Sequence, residues 1–252
     1  MNFTKAFSAT FALSVRELKR FSRQRSRIIG ALLTPLLFWA LLGFGIDGAS
    51  NNTSVGGAGN FRQYFVPGMM VMGVVFTAIY AAISLIEDRN SGFLQGVIVS
   101  PLPKWAMVLS KILGASFIAL FQGLLLLPIS YLAGMHPSIV EFASCLVIFF
   151  VIAIFVASLA LHFGWKIESV AGFHGIMNTV LMPMWFLSGA TFPIKSGALL
   201  WVSRLNPLSY AVGSFQDILF RSSFENYTQS MLILVSVSAG AVLFFLSLLR
   251  RT

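Results

Sequence analysis

The hydrophobic positions of this chain fall into long, nearly unbroken runs rather than short alternating ones. Residues 28–46, 64–86, 107–132, 142–163, 173–187 and 231–249 are each predominantly apolar. Crossing about 30 Å of hydrocarbon takes about 20 such residues in helical form, and a backbone in lipid must satisfy its own hydrogen bonds. The pattern predicts an all-α membrane protein with six transmembrane helices. The fifth run is the weakest, because Asn178 and Pro183 interrupt it, and the loop after it, up to Ser230, is the longest. The first run exceeds the roughly 7–15 residues of a signal-peptide core and begins only after 27 residues, so it reads as a span.

Composition narrows the class. The 252 residues are 57% hydrophobic and 10% charged, against about 25% charged in an ordinary soluble domain, and they form one membrane domain over 1–252. A net charge of +9 does not point to nucleic acid, because the charges cluster at the ends of the apolar runs. If the N-terminus is cytoplasmic, 13 of the 17 Lys and Arg fall on the cytoplasmic side. That bias predicts both termini in the cytoplasm of a multi-pass protein of the inner or plasma membrane. The single cysteine, Cys145, lies inside an apolar run and offers no disulfide framework.

Residues 1–27 carry a pattern of their own. Phe7, Phe11, Val15, Leu18 and Phe21 recur at steps of three and four, one stripe of a helix. Arg16, Lys19, Arg20, Arg23 and Arg27 fall on the opposite face. This predicts an amphipathic helix in the membrane interface, its basic face turned to anionic headgroups of the membrane lipid.

The stretch between the second and third runs, residues 87–104, falls on the cytoplasmic side. It reads as a short helix, with Asn90 as a cap, Phe93/Val97 and Leu94/Ile98 as i,i+4 pairs, and Pro101 and Pro103 as stops. Such a helix can dock into a groove on a soluble partner, with Glu87, Asp88 and Arg89 fixing its orientation. It serves equally as an interfacial connector, and the residues alone leave both readings open.

The chain has no Gly-x-x-x-x-Gly-Lys-[Ser/Thr] phosphate loop and no His-Glu-x-x-His, and His136, His162 and His174 are far apart. Ionisable residues are almost absent from the span interiors, which argues against a proton- or sodium-coupled carrier. Gln122 and Asn178 are the notable neutral polar residues there, of the kind that more often joins helices than meets a substrate. Met and Phe are abundant in the spans, and a subset can line an adaptable apolar path.

The string Asp88-Arg89-Asn90-Ser91-Gly92-Phe93-Leu94, then Val99-Ser100-Pro101-Leu102, then Trp105-Ala106-Met107-Val108-Leu109-Ser110-Lys111, resembles the signature of ABC-2 type permeases. These are the membrane subunits of a class of ATP-driven exporters, and the nearest subgroup is the drug and lipo-oligosaccharide permeases of the daunorubicin-resistance and nodulation types. Tyr64-Phe65-Val66-Pro67-Gly68, Phe186-Leu187-Ser188-Gly189-Ala190-Thr191-Phe192-Pro193 and Leu205-Asn206-Pro207-Leu208-Ser209-Tyr210 fit the same family in order and spacing.

The resemblance implies that residues 87–104 hold a coupling helix served by Glu87, Asp88, Arg89, Gly92, Phe93, Leu94, Val97, Ile98 and Pro101. It makes residues 1–27 the connecting helix and places a re-entrant outer segment within 188–210. It also implies an exporter of two identical six-span copies with two ATP-binding subunits, which would hold the ATP and magnesium; this chain would bind no cofactor and catalyse nothing itself. Met72, Phe76, Asn178, Met182 and Phe186, on the second and fifth spans, are then candidates for the path of an amphipathic, drug-like, lipid-linked or glycan substrate. Many relatives carry an acidic residue where this chain has Asn90. The rival classes are an autonomous carrier or channel, and a membrane-embedded assembly or lipid-modifying protein.

Overall fold

The computed structural model describes residues 3–49, 54–99, 103–194, 196–221 and 224–249. Helices account for its regular structure: α1 (Phe3–Arg23), α2 (Arg25–Ala49), α3 (Phe61–Asn90), α4 (Phe93–Val99), α5 (Lys104–Leu126), α6 (Ile129–Leu132), α7 (Ile139–Lys166), α8 (Val170–Trp185), α9 (Ala198–Leu205), α10 (Pro207–Leu219) and α11 (Phe224–Leu249). Among the described residues six stretches are long and apolar enough to cross a membrane: Arg25–Gly48, Phe61–Asn90, Lys104–Leu132, Ile139–Lys166, Val170–Ala190 and Asn226–Ser247. They coincide with the six hydrophobic runs.

Local chemistry sets where the helices start. Asn60 is extended and its side chain accepts from Gln63 N at 2.9 Å, opening α3. Ser138 and Glu141 form a reciprocal capping box at α7. Ser169 caps α8 through Gly172 N, and Asn206 with Pro207 opens α10. Pro35, Pro67 and Pro183 lie inside helices, as membrane helices tolerate where neighbours satisfy the freed carbonyls.

α3 is the hub. Its span is 83% buried, against 22% for the spans of α2 and α8 and 17% for that of α11, so those three present most of their surface outward. α3 packs on α2, α5, α7 and α8, and α7 in turn on α5, α10 and α11. The closest approaches use small residues: an added Cβ at Gly164 would stand 3.3 Å from that of Ala82, and one at Gly123 would meet the Phe149 ring at 2.8 Å. Small residues let helix backbones approach where lipid offers no hydrophobic drive. Gln122 joins three helices, donating to Ala31 O at 2.7 Å and accepting from the Thr77 hydroxyl.

The fifth span ends in a π-helical turn, Phe186–Ala190, broken by Gly189 at φ 80°. Residues 188–210, expected to hold a re-entrant segment, contain the end of that π-turn and then two helices, α9 and α10, that meet at Asn206; α10 runs on to Leu219. α10 buries Leu208, Ala211, Val212 and Phe215, whereas α9 buries nothing.

Candidate functional site

The C-terminal end of α3 presents Ser84, Glu87 and Asp88 within one turn, facing α1 and α5. α1 brings Arg16, Glu17 and Arg20, the start of α2 brings Arg27, and α5 brings Lys111. Asp88 is 2% exposed and Lys111 4%. Lys111 Nζ lies 2.8 Å from Asp88 Oδ2, 3.1 Å from Glu17 Oε1 and 2.9 Å from Ser84 Oγ, so its three N–H donors are all used. Asp88 Oδ1 also accepts from Arg20 Nη1 at 2.7 Å and from Arg16 Nη2 at 3.1 Å. Ser84 Oγ donates to Glu17 Oε2 at 2.9 Å, and Glu87 accepts from Arg20 Nη2 at 2.7 Å and from Arg27.

Four cations and three carboxylates thus interlock four helices, α1, α2, α3 and α5, around a buried Asp88–Lys111 pair. Burial lowers the proton affinity of the Arg16 guanidinium, but its hydrogen bond and attraction to Asp88 outweigh that, so its pKa is raised overall.

From this cluster the chain turns directly into α4. Ser91 N donates to Glu87 O and Gly92 N to Arg89 O, and Gly92 adopts φ +76°, a left-handed conformation that glycine reaches without a Cβ clash. Arg89 donates to Trp165 O at 2.9 Å and to Ile167 O, tying this end of α3 to the end of α7. Arg16 also sits 3.7 Å above the Phe93 ring. Leu94 is buried, Phe93 and Gln95 are exposed, and Val99 is 86% exposed. Pro101 and the side chains of Val97 and Ile98 lie outside the described residues.

Several residues stand differently from the sequence-based expectation. Of the five basic residues aimed at headgroups, Arg16, Arg20 and Arg27 instead bind the carboxylates of Glu87 and Asp88, because buried acids there require counter-charges. Lys19 and Arg23 remain exposed. Glu87, Asp88 and Arg89, expected to orient a docking helix, are engaged within the chain. Asn90 closes α3 rather than capping α4, its amide 3.5 Å from Glu168 O. The spans are also less free of charge than they read: Lys111 stands buried inside the third span. Glu17, Ser84 and Lys111 were the missed members, and the one signal was a lysine within an otherwise apolar run.

The candidate path residues do not gather on one surface. Met72 is buried in the core, Phe76 and Met182 are half-buried, and Asn178 on α8 and Phe186 in the π-turn that follows it are exposed. At the N-terminal end of α3, Tyr64 Oη donates to Gly189 O at 2.5 Å and Trp185 Nε1 to Gly68 O at 2.8 Å. Asp47 accepts from Arg62 Nε at 2.6 Å and from Phe61 N at 2.8 Å.

The family model of the ABC-2 type transporter matches residues 8–220, from α1 to the end of α10. A protein of Cyanophora paradoxa named a transport permease, ycf38, is 27% identical over 99% of this chain and 94% of its own length. A namesake in Porphyra purpurea is 25% identical over 88% of this chain and 77% of its own. The Escherichia coli protein YbhR, named a multidrug ABC transporter permease, is 27% identical over 63% of this chain, a match that covers 43% of YbhR. With the match spanning the charged cluster, α4 and five of the six apolar spans, the chain belongs to the ABC-2 type transporter family and is a membrane permease subunit of an ABC transporter.

Proposed function

We propose that two copies of this chain work with two ATP-binding subunits as an exporter, that α4 is the coupling helix receiving the motion of those subunits, and that ATP and magnesium are held by them. The observation that carries this reading is the junction at Gly92. A displacement of α4 there meets α3, whose last turns are bonded to α1, α2, α5 and α7 by charged groups, so a local push moves several helices together. α4 itself carries no charge, and among its described side chains Phe93, Gln95 and Val99 are exposed.

In this reading both termini and α4 face the cytoplasm, as the distribution of Lys and Arg favours, and the membrane is the inner or plasma membrane. α1 is the connecting helix of the interface and the α9–α10 turn is the re-entrant element on the far side. The substrate is amphipathic, drug-like, lipid-linked or a glycan; the multidrug name of YbhR and the exposed faces of α2 and the fifth span, with Asn178 and Phe186 on the latter, support this class. A path between two copies can use those outward residues, but Met72 only if the core around α3 opens.

The test is purification of the tagged full chain from its host in mild detergent. A polypeptide with a phosphate-binding loop should co-elute stoichiometrically and be lost in Val99→Glu, which alters an exposed position and leaves the permease's own elution unchanged. Charged substitution of Leu94 is a poorer probe, since that side chain is buried. Absence of any such polypeptide from the wild-type eluate overturns the exporter reading, and its retention by Val99→Glu overturns the role of α4.

A further inference from the structure

The charge lattice beside α4 is not in balance. Arg16, Arg20, Arg27 and Lys111 pair with Glu17, Glu87 and Asp88, and with no other carboxylate among the described residues. One positive charge is left over. A cavity of about 20 Å³, room for one water-sized particle, lies where α1, α2, α3 and α5 meet, bordered by Arg20, Gln24, Arg27, Tyr80 and Lys111. Glu17 borders it too, but its carboxylate is already engaged by Lys111, Ser84 and Arg16. Arg27 gives Nη2 to Glu87, and its Nε and Nη1 donate to nothing among the described residues. The N-terminus of α2 comes to the same place. Gln24 O accepts from Arg27 N at 3.0 Å and from Ile28 N at 3.2 Å, so the helix begins on Gln24. No acidic residue stands in its first turn to answer the positive end of its dipole. The Tyr80 hydroxyl closes over the next turn, where a Cβ added at Gly30 would lie 2.8 Å from it. Gln24 Oε1, finally, is buried and meets no donor among the described residues. Half a turn of that amide presents its N–H donors in place of the oxygen.

We infer that this cavity binds one small monovalent anion of the size of chloride. The groups ready to meet it are donors: the spare edge of the Arg27 guanidinium, the Tyr80 hydroxyl and the turned Gln24 amide. Charge held away from water is costly unless it is paired, and the start of a helix adds further attraction for an anion. A water would satisfy Gln24 but would leave the extra positive charge unanswered. A phosphate or a lipid headgroup exceeds the space. The anion thus becomes the fourth negative member of the lattice and pins the start of α2 to α1 and α3. The site belongs to the permease chain alone and stands whether or not α4 docks an ATPase.

The full chain, with whatever subunits accompany it, is purified in mild detergent into sodium gluconate. Sodium chloride then replaces the gluconate at constant ionic strength while the melting midpoint is read. The wild-type midpoint should rise with chloride, because gluconate is too large to enter. An anion at a hundred times its dissociation constant favours the folded state by about a hundredfold. Gln24→Glu supplies a carboxylate at the cavity, so it should melt in gluconate as the wild type melts in chloride and respond no further. Gln24→Leu and Tyr80→Phe each remove a donor to the anion, and each should need roughly tenfold more chloride for the same rise. A wild-type midpoint indifferent to the exchange overturns the site and leaves the cavity to water. A chloride response undiminished in Gln24→Glu places the anion elsewhere and overturns it as well. If Gln24→Glu does not fold, the other two variants decide, and wild-type chloride responses in both overturn the assignment.

Discussion

The two ends of α3 are held by different chemistry. Its C-terminal end lies in a lattice, buried at Asp88 and Lys111 and half-buried around them, in which Asp88 and Glu87 share Arg16, Arg20, Arg27 and Lys111. Its N-terminal end has one ion pair, Arg62 with Asp47 of α2, and is held to the fifth span by two neutral donors, Tyr64 and Trp185, aimed at backbone carbonyls. A neutral hydrogen bond contributes about 1 kcal/mol net, whereas removing one member of a buried charge set costs about 3–5 kcal/mol because its partners are left uncompensated. The end beside α4 is therefore tied by charge to several helices, whereas the contact with the fifth span at Gly189 is the more easily parted. In the proposed exporter, that asymmetry would give a rigid receiver and a separable far contact.

The largest effect should come from Lys111→Met. It removes the one cation that touches Glu17, Asp88 and Ser84 together, and the loss should approach the roughly 3–5 kcal/mol of a broken buried pair. Adding Glu17→Gln should restore part of the loss, since contacting members of one network are not additive. Melting of the detergent-solubilised chain followed by size exclusion checks this; equal melting of Lys111→Met and wild type would show that the lattice does not hold α3.

How this site relates to the sequence is instructive. The six spans were legible because a lipid-crossing helix must be apolar along about 20 residues, whatever it packs on. The caps at Asn60 and Ser138 leave side-chain signatures too. The charge lattice was not legible, because its members are separated by up to 94 residues, as Glu17 and Lys111 are, and pairing follows packing rather than spacing. The packing face of α1 was not legible for a related reason: in a membrane protein bulky residues such as Phe7 and Phe11 can stay exposed while small ones meet protein. Ala6, Thr10 and Ser14 carry no hydrophobic signal.

A smaller effect should follow Gly68→Ala at the other end. The new Cβ would stand 2.5 Å from Ala190 O and 2.8 Å from Ala190 Cβ, contacts with the backbone that no rotamer change relieves. Overpacking of this kind costs about 1–3 kcal/mol, and the strain is relieved if the π-turn swings away from α3. In a Ser188→Cys background, whose parent side chain is buried, Gly68→Ala should raise labelling by a membrane-impermeant maleimide while lowering the melting midpoint less than Lys111→Met. Unchanged labelling would mean that this end is not the separable one.

The smallest effect separates charge from burial. Arg221 joins the end of α10 to the start of α7, with Nε 2.9 Å from Glu141 Oε1 and Nη2 3.1 Å from His136 O. The carboxylate hydrogen bond raises the guanidinium's pKa, but the side chain is exposed, and surface pairs of this kind contribute little. The residue also holds φ at 55°, a left-handed conformation unfavourable to any residue with a Cβ. Arg221→Gln removes the pair and keeps the backbone cost, while Arg221→Gly removes both. The glycine variant should therefore melt at or above the glutamine variant, and the glutamine variant should differ from wild type only at low salt, where exposed charges are least screened. A loss in Arg221→Gln as large as that in Lys111→Met would show that charge pairing alone, rather than its burial beside α4, makes an end of this protein rigid.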